Sequence, residues 1–236
     1  MSPRVLSSAS SSPLLCVLCV LCGDLLLRTH VAWAAEPLYD VTVIRDVMVP
    51  MRDGVKLATD LYVPVPKGTS PNNQPLIKKF PAVLMRTPYD RTKAFVEHLR
   101  YFAERGFLAV TQDCRGRFQS EGRFVPFRQE PGDGYDTIEW LARHNHCNGR
   151  VGMYGVSYMA WDQYEAAALA PPALATMTPH CGPINGYAYS MHVGGTLTLT
   201  LLQWHVFMAA SSQEAQRDPK IARALKTMSD GEDFLR

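Results

Sequence analysis

The sequence predicts an α/β fold in which a mostly parallel sheet is covered by helices. Apolar runs of strand length alternate with helical patterns along most of the 236 residues, which is typical of parallel strands joined by crossover helices. An antiparallel hairpin precedes them, because Asp53-Gly54 separates two segments with strand composition. A third observation is a Gly-x-Ser turn at residues 155–157, between a short apolar run and a helical pattern.

The hairpin and the connection after it come first in the chain. Residues 41–51 alternate roughly between apolar and polar side chains, residues 52–54 form the turn, and residues 55–63 run back. Residues 64–79 are rich in Pro, Asn, Gly and Ser. We expect a surface loop there and no domain linker.

The next stretch predicts two strands, each followed by a helix. Residues 80–85 are an apolar strand, and the helix over residues 94–105 ends before Gly106, which suits a helix C-terminus. A strand over residues 107–111 leads into a long loop, and a second helix is expected from residue 132 to about residue 145.

A strand, a sharp turn and a helix form the centre of the predicted fold. Residues 151–154 are the strand, and helical spacing of large side chains continues from Tyr158 to Leu169, where Pro171-Pro172 ends it. One more strand is predicted over residues 173–178.

Beyond Tyr187 the pattern changes. No strand alternation recurs, and residues 197–210 and 221–228 have helical patterns. The end of the chain is therefore predicted to be helical.

Composition and charge exclude several classes of protein. A hydrophobic content of 47% and a charged content of 19% are globular values, so one large α/β domain is expected. The net charge of +2 and the lack of a basic cluster argue against a nucleic-acid partner. No H-E-x-x-H or other metal-binding spacing occurs in the predicted mature part, so no metal is expected.

The N-terminal segment predicts export. Residues 13–23 are apolar but are followed at once by charged residues, so the run is too short to span a membrane. Ala32-Trp33-Ala34 fits a small-x-small cleavage site. We predict a signal peptide over residues 1–35, a secreted or periplasmic mature protein and no stable membrane insertion after cleavage. An uncleaved anchor or a misassigned start codon is the alternative.

Three cysteines remain after residue 35, namely Cys114, Cys147 and Cys181. An oxidising compartment would allow one disulfide and one free thiol, and the sequence does not choose the pair. Three buried thiols are an equal alternative.

Ser157 is the candidate nucleophile. A Gly-x-Ser turn can lift a serine hydroxyl above a sheet, and the following helix presents its positive end to that hydroxyl. Gly155 gives the backbone room that such a turn needs, whereas Met159 stands where the general motif has a second glycine. From the residues alone, a serine that caps an ordinary helix is the alternative.

Five sequence blocks, in order, carry a resemblance to a known family. They are MVPMRDGV at 48–55, RTPYD at 86–90, QDCRG at 112–116 with SEG at 120–122, DTIEW at 136–140, and CNGRVGM at 147–153 leading into GVSY at 155–158. The chain resembles the cocaine esterase branch of the X-prolyl dipeptidyl-peptidase superfamily, the CocE/NonD hydrolases, from about residue 40 to at least Ala210. The resemblance implies an α/β-hydrolase core over residues 36–184 and the beginning of a helical cap over residues 185–236.

The resemblance also implies roles for individual residues. Ser157 matches the nucleophile, the backbone N–H of Tyr158 matches one oxyanion donor, and the hydroxyl of Tyr89 matches the other. A preorganised donor of this kind contributes about 3–4 kcal/mol to transition-state stabilisation in other hydrolases. Trp204 falls near a position where a cap tryptophan lines the acyl pocket. Core packing is the alternative for both Tyr89 and Trp204.

Some residues near the matched blocks suggest structural roles or depart from the family pattern. Arg115, Arg117 and Glu121 are expected to form salt bridges rather than to contact substrate. Ala160 stands where the family turn has glycine, which reduces the room between helix and strand. Asp162 places a charge on the helix after Ser157, and we expect its side chain to face solvent.

The acid and the base of a serine hydrolase are missing from the sequence pattern. After Ser157 the histidines are His180, His192 and His205, and none of them follows a later strand as the fold requires. We therefore expect that the chain stops inside the cap and that the catalytic acid and histidine lie beyond Arg236.

The leading prediction is a serine hydrolase that cleaves ester or amide bonds of small molecules through an acyl-enzyme, without metal or organic cofactor. Within this class an amino-acid ester hydrolase or a dipeptidyl-peptidase is possible. The alternative from another class is an inactive secreted fragment or binding protein with a hydrolase-like fold. The oligomeric state is left open by the sequence.

Overall fold

A six-stranded sheet with helices on both faces forms the centre of the protein, in a computed structural model that describes residues 36–68 and 78–229. The strands of this sheet are β1 (Tyr39–Pro50), β2 (Lys56–Pro66), β3 (Phe80–Thr87), β4 (Leu108–Asp113), β5 (Cys147–Val156) and β6 (Leu174–His180). The helices among them are α1 (Val96–Glu104), α2 (Glu130–Arg143) and α3 (Tyr158–Ala167). The predicted α/β architecture is confirmed.

The strand order is β1-β2-β4-β3-β5-β6. β1 and β2 form the antiparallel hairpin, β2 pairs antiparallel with β4, and all other neighbours are parallel. In the middle of the sheet Leu84 lies opposite Val110 of β4 and Met153 of β5. The carboxyl ends of the parallel strands meet at one edge, where this class of fold places its sites.

Two apolar clusters bind the helices to the sheet. On one face, Ile138 and Leu141 of α2 and Ala166 of α3 pack against buried strand residues such as Leu84. On the other face, Leu99 and Ala103 of α1 pack against a second buried set. Both faces are covered, so the central strands are buried even where they carry polar residues, such as Gln112 and Asp113 at the end of β4.

Helix and strand ends differ from the predictions by a few residues. β5 begins at Cys147 and β6 reaches His180, because pairing extends beyond the apolar runs. α2 begins at Glu130, with Pro131 in its first turn, where proline needs no N–H partner. Gly106 follows α1 with φ of 87°, as expected for a helix end.

The expectation that no strands follow Tyr187 is wrong. After a short π-helical turn at Tyr187–Met191, strands β7 (His192–Val193) and β8 (Thr196–Leu197) form a small antiparallel pair. Gly194 and Gly195 both have positive φ and form the two-residue turn between them. Such a Gly-Gly turn is a hairpin signal, but strands of two residues are too short to show alternation.

The helical prediction for the end of the chain is confirmed. Helices α4 (Leu199–Ala210) and α6 (Pro219–Ser229) match the predicted segments. A short helix α5 (Gln213–Arg217) lies between them, and the Ser212 hydroxyl accepts a hydrogen bond from the N–H of Ala215 at its start.

The predicted signal peptide lies outside the described residues, as does most of the predicted loop before β3. None of the helices described is long and apolar enough to cross a membrane. Cys114, Cys147 and Cys181 are free thiols, and of the three only Cys181 is exposed. The alternative of three buried thiols is therefore correct in that all three are free, and wrong in that Cys181 is exposed.

Candidate active site

Ser157 lies in a strained turn at the carboxyl end of β5. Its φ of 61° and ψ of −120° are a backbone conformation that residues other than glycine rarely adopt. Helix α3 begins at the next residue. The N–H of Ser157 donates to the carbonyl of His180 on β6 at 2.9 Å. The Ser157 side chain is exposed. This is the geometry of a nucleophile elbow.

Small residues make the room for this turn. A Cβ on Gly155 would lie 2.5 Å from the Cβ of Met159, so glycine is required there. A Cβ on Gly182 would lie 2.5 Å from the Cβ of Ala160. The methyl group of Ala160 is therefore accommodated because Gly182 has no side chain.

Tyr89 follows β3 and is half-buried beside the elbow. The indole Nε1–H of Trp204 donates to the Tyr89 hydroxyl oxygen at 3.0 Å. Burial raises the pKa of the Tyr89 phenol, and hydrogen bonds with Trp204 and Ser157 oppose that shift. The phenol thus keeps its proton near Ser157 at neutral pH.

Two buried arginines hold the loop that carries Tyr89. Arg91 donates from its backbone N–H and from Nη1 to the carboxylate of Asp113, at 2.7 and 2.5 Å. Arg117 donates from Nε to the Pro88 carbonyl at 3.0 Å and from Nη1 to the Met208 carbonyl in α4 at 3.1 Å. Arg117 therefore joins this loop to the helix that carries Trp204.

Tyr158 is the first residue of α3, and its side chain is buried. The first N–H groups of a helix have no partner within the helix, so the Tyr158 amide is available as a donor beside Ser157. Its phenol donates to Glu130 at 2.8 Å and accepts from the Phe127 N–H at 3.1 Å. Burial, and then the Glu130 carboxylate, raise the pKa of the Tyr158 phenol well above its usual value.

A pocket of about 120 Å³ opens beside Ser157. Its wall is mainly aromatic, with the rings of Tyr89, Phe127, Tyr158, Trp161 and Trp204. The structure thus brings the predicted residues Ser157, Tyr89, Tyr158 and Trp204 together around one cavity. The arrangement can accept a flat or apolar group next to the serine.

Sequence reasoning missed Phe127 and Trp161 as pocket residues. Trp161 lies one helical turn after Ser157, and this spacing could have identified it. Phe127 lies in an irregular loop before α2 with φ of 65°, and no periodicity or spacing points to it.

The expectation that Asp162 faces solvent is wrong. Asp162 is 1% exposed, and neither carboxylate oxygen has a hydrogen-bond partner among the described residues. Burial raises the pKa of Asp162 well above its usual value, although Arg86 favours the charged form. α3 turns this position toward the buried Arg86 and Glu130, and burial there favours the protonated form of Asp162.

The structural roles expected of three polar residues are confirmed in part. Arg115 forms ion pairs with Asp53 at 2.7 Å and Asp133 at 2.6 Å. Glu121 accepts a hydrogen bond from the Lys56 N–H. Arg117 forms no salt bridge within the described chain. Its guanidinium instead donates hydrogen bonds to the carbonyls of Pro88 and Met208 and to the Ser211 hydroxyl.

No histidine ring in the described part of the chain forms a hydrogen bond with Ser157. The His180 ring is exposed and lies against Tyr154, and the His192 ring packs on Tyr187. His205 Nδ1 lies 2.7 Å from the Leu201 carbonyl. Residues 36–68 and 78–229 also hold no group of three or more His, Cys, Asp or Glu side chains that could bind a metal ion.

Comparisons with known proteins agree with the resemblance. The chain is 34% identical to the cocaine esterase of Rhodococcus sp. (strain MB1 Bresler) over 186 residues, which are 76% of this chain and 31% of that protein. A CocE/NonD family hydrolase structure from Staphylococcus aureus matches with a TM-score of 0.63 and 26% identity, over 73% of this chain and 33% of that one. An α-amino acid ester hydrolase structure matches with a TM-score of 0.52 and 35% identity, over 64% and 27%.

The chain thus spans about a third of the length of these relatives. The model of the X-Pro dipeptidyl-peptidase (S15) family matches residues 53–234, which include Ser157, the Tyr89 loop and the helices α4 to α6. The predicted resemblance is confirmed, and the chain belongs to the X-Pro dipeptidyl-peptidase (S15) family.

Proposed function

We propose that this chain carries the nucleophile and the oxyanion hole of a serine hydrolase that cleaves ester or amide bonds of small molecules. One observation supports the proposal above the others: Ser157 lies in a strained, exposed elbow with the Tyr89 hydroxyl and the Tyr158 amide beside it. The names of the relatives, a cocaine esterase and an α-amino acid ester hydrolase, agree with this class of reaction.

In the proposed reaction the Ser157 oxygen attacks the carbonyl carbon and loses its proton to a base. The carbonyl oxygen becomes an oxyanion that accepts hydrogen bonds from the Tyr158 N–H and the Tyr89 O–H. The leaving group departs with a proton, and water then hydrolyses the acyl-enzyme. Trp204 lines the pocket that holds the acyl group and donates to Tyr89, which leaves the phenol proton for the substrate oxygen.

A base is the missing part of this scheme. Serine hydroxyls are weak nucleophiles unless an adjacent base accepts the proton. His180, His192 and His205 do not meet Ser157 in the described part of the chain. We propose that the catalytic histidine and its acid are supplied from outside the 236 residues.

A binding protein without catalytic activity is the second candidate, and it is favoured because no histidine of the described residues lies beside Ser157. Within the enzyme class, an amino-acid ester hydrolase and a dipeptidyl-peptidase are the two alternatives. The two are distinguished by the rates at which the enzyme, once supplied with its histidine and acid, hydrolyses acyl esters and X-Pro peptides.

We also propose that the protein is exported and that cleavage after Ala34 or Ala35 removes the signal segment. N-terminal sequencing of the protein recovered outside the cytoplasm of an expressing cell checks this. Protein that retains Met1 in that fraction contradicts the proposal.

The central experiment is labelling with a fluorophosphonate. Loss of the nucleophile or the histidine lowers turnover in a serine protease on the order of a millionfold. We therefore expect negligible labelling of the chain alone. Labelling should return when the C-terminal two thirds of a relative, such as the Rhodococcus cocaine esterase, is fused to it or added as a separate chain.

Ser157→Ala is the matched control and should abolish the restored labelling, whereas a metal chelator should not change it. Efficient labelling of Ser157 in the chain alone would show that a base is present, with His180 and His192 tested first. Restored labelling that survives Ser157→Ala would refute the assignment of the nucleophile.

A further inference from the structure

Glu130 connects parts of the site that are distant in sequence. It is the first residue of α2 and is 2% exposed. One carboxylate oxygen accepts from the Tyr158 hydroxyl at 2.8 Å. The other accepts from Arg86 Nη1 at 2.6 Å, and Arg86 is itself fully buried.

The Tyr158 hydroxyl has a second partner in the pocket loop. Its oxygen accepts the backbone N–H of Phe127 at 3.1 Å. Phe127 is in the left-handed region, with φ of 65°, a conformation that residues other than glycine rarely adopt. A loop residue held in this way needs a partner that opposes its relaxation.

Phe127 forms part of the pocket wall. Its ring stacks on Trp161 with 4.1 Å between centroids and on Tyr158 with 4.8 Å. The Trp204 ring lies 5.8 Å from it on the cap side. The position of Phe127 therefore determines how much of the pocket next to Ser157 is open.

We propose that Glu130 is a positioning residue: through the Tyr158 phenol it holds Phe127 against the pocket and so limits the size of the acyl group accepted beside Ser157. Arg86 orients the Glu130 carboxylate, and Glu130 then orients the phenol. The same contact fixes Tyr158, the first residue of α3, which lines the pocket. The consequence for substrate size depends on the proposed function, whereas the anchoring of Phe127 does not.

The test measures how accessible Trp161 and Trp204 are to acrylamide, a fluorescence quencher. The chain contains four tryptophans, so a background with Trp33→Phe and Trp140→Phe leaves the two pocket indoles as the reporters. In this background Tyr158→Phe keeps the stacked ring and removes only the hydroxyl. We expect its quenching constant to rise at least about twofold, because Phe127 no longer covers Trp161.

Two substitutions at Glu130 separate positioning from stability. Glu130→Ala removes the partner of Tyr158 and should raise the quenching constant as Tyr158→Phe does. Glu130→Gln loses the ion pair with Arg86 but keeps a hydrogen bond to the phenol in either orientation of its amide. Both variants should unfold at lower urea concentration, yet only Glu130→Ala should open the pocket.

Tyr154→Phe is the matched control. It removes a hydroxyl that pairs with His98 Nδ1 on the α1 side of the sheet, away from Phe127. Its quenching constant should equal that of the parent. An unchanged constant in folded Tyr158→Phe, or equal opening in Glu130→Gln and Glu130→Ala, would overturn the proposal.

The outcome is independent of the labelling experiment. Quenching does not require Ser157 to react, so an open pocket in Tyr158→Phe supports the anchor even if Ser157 is never labelled. Conversely, labelling at Ser157 with an unchanged pocket in Tyr158→Phe would leave the proposed function standing and remove the role of Glu130.

Discussion

Asp162 shows how burial can decide the charge of a side chain. The carboxyl lies inside the protein with no hydrogen-bond partner among the described residues, and its pKa is raised mainly by burial. An isolated carboxylate is costly to bury, so the group takes up a proton instead. Its neighbour Arg86 already pairs with Glu130, which explains why the attraction of Arg86 does not reverse the shift.

This state predicts a pH-dependent stability. The native Asp162 retains its proton at pH values where the unfolded chain, with an ordinary value of 3.8, has released it. Stability therefore falls as pH rises toward the native pKa, by up to about 1.4 kcal/mol per pH unit from one such group. Asp162→Asn should remove this component and be as stable as the parent or more stable above pH 7, measured by urea unfolding from pH 5 to pH 8.

Asp136→Asn is a control with the opposite sign. Burial raises the pKa of Asp136, but its hydrogen bonds with Arg52 outweigh burial and lower it. Its stabilisation is therefore lost only below the measured range, and between pH 5 and pH 8 the effect of Asp136→Asn should not change with pH. A large loss of stability in Asp162→Asn at pH 8 would instead indicate a charged, paired Asp162.

Residues in local motifs were predicted from the sequence, whereas residues that depend on contacts distant in sequence were not. Ser157 and Tyr89 belong to short local motifs, and their positions follow from the strands that carry them. The burial of Asp162 could not be predicted, since it depends on Arg86 and Glu130, which are distant in sequence. Phe127 depends in the same way on a contact with Tyr158.

The packing of α3 on the end of β6 is the feature that matters at the scale of elements. Ala160 of α3 fits against the backbone at Gly182, where a Cβ would be 2.5 Å from its methyl group. The sequence showed only that Ala160 differs from the family pattern. The compensating absence of a side chain at Gly182 is visible only in three dimensions.

This packing predicts a coupled pair of substitutions. Gly182→Ala should destabilise the protein by about 1–3 kcal/mol, because the added methyl group overpacks the contact. Ala160→Gly should cost about 1 kcal/mol through helix propensity. In the double variant the 2.5 Å contact between the two Cβ atoms is absent and only backbone atoms at 3.2 Å remain close to the added methyl group. Urea unfolding should therefore give a total cost smaller than the sum by at least about 0.5 kcal/mol. Additive costs would show that the two positions do not share one packing limit.

Elements were predicted more reliably than their ends. Apolar periodicity identified the strands and helices of the core, since both faces of the sheet are buried. The small pair β7 and β8 was missed because its strands have two residues each.

At the scale of the whole molecule, β6 leaves one side of the sheet unpaired. It pairs with β5 alone among the strands described, and Ala175, Thr176 and Thr178 on it are exposed. Large apolar side chains are also exposed after β6, including Ile184 at 82% and Tyr187 at 67%. An exposed edge of this kind promotes association.

We therefore predict that the isolated chain associates in a concentration-dependent manner. Ala175→Lys places a charge on the exposed edge and should shift the distribution toward the monomer, measured by size-exclusion chromatography with light scattering. The matched substitution Ala168→Lys, at the exposed end of α3, should not change it. A monodisperse monomer that unfolds cooperatively would contradict this and would favour an independent binding protein.

The hydrogen bond from Trp204 to Tyr89 has a consequence for how damage to this protein would be recognised. The phenol beside Ser157 is held by its own loop and by a helix more than a hundred residues further along the chain. A substitution of Trp204 in α4 would remove this hydrogen bond from a position outside the sheet. If Tyr89 is the oxyanion donor proposed above, a genetic screen would score such a change as a catalytic mutant although it lies far from Ser157 in the sequence.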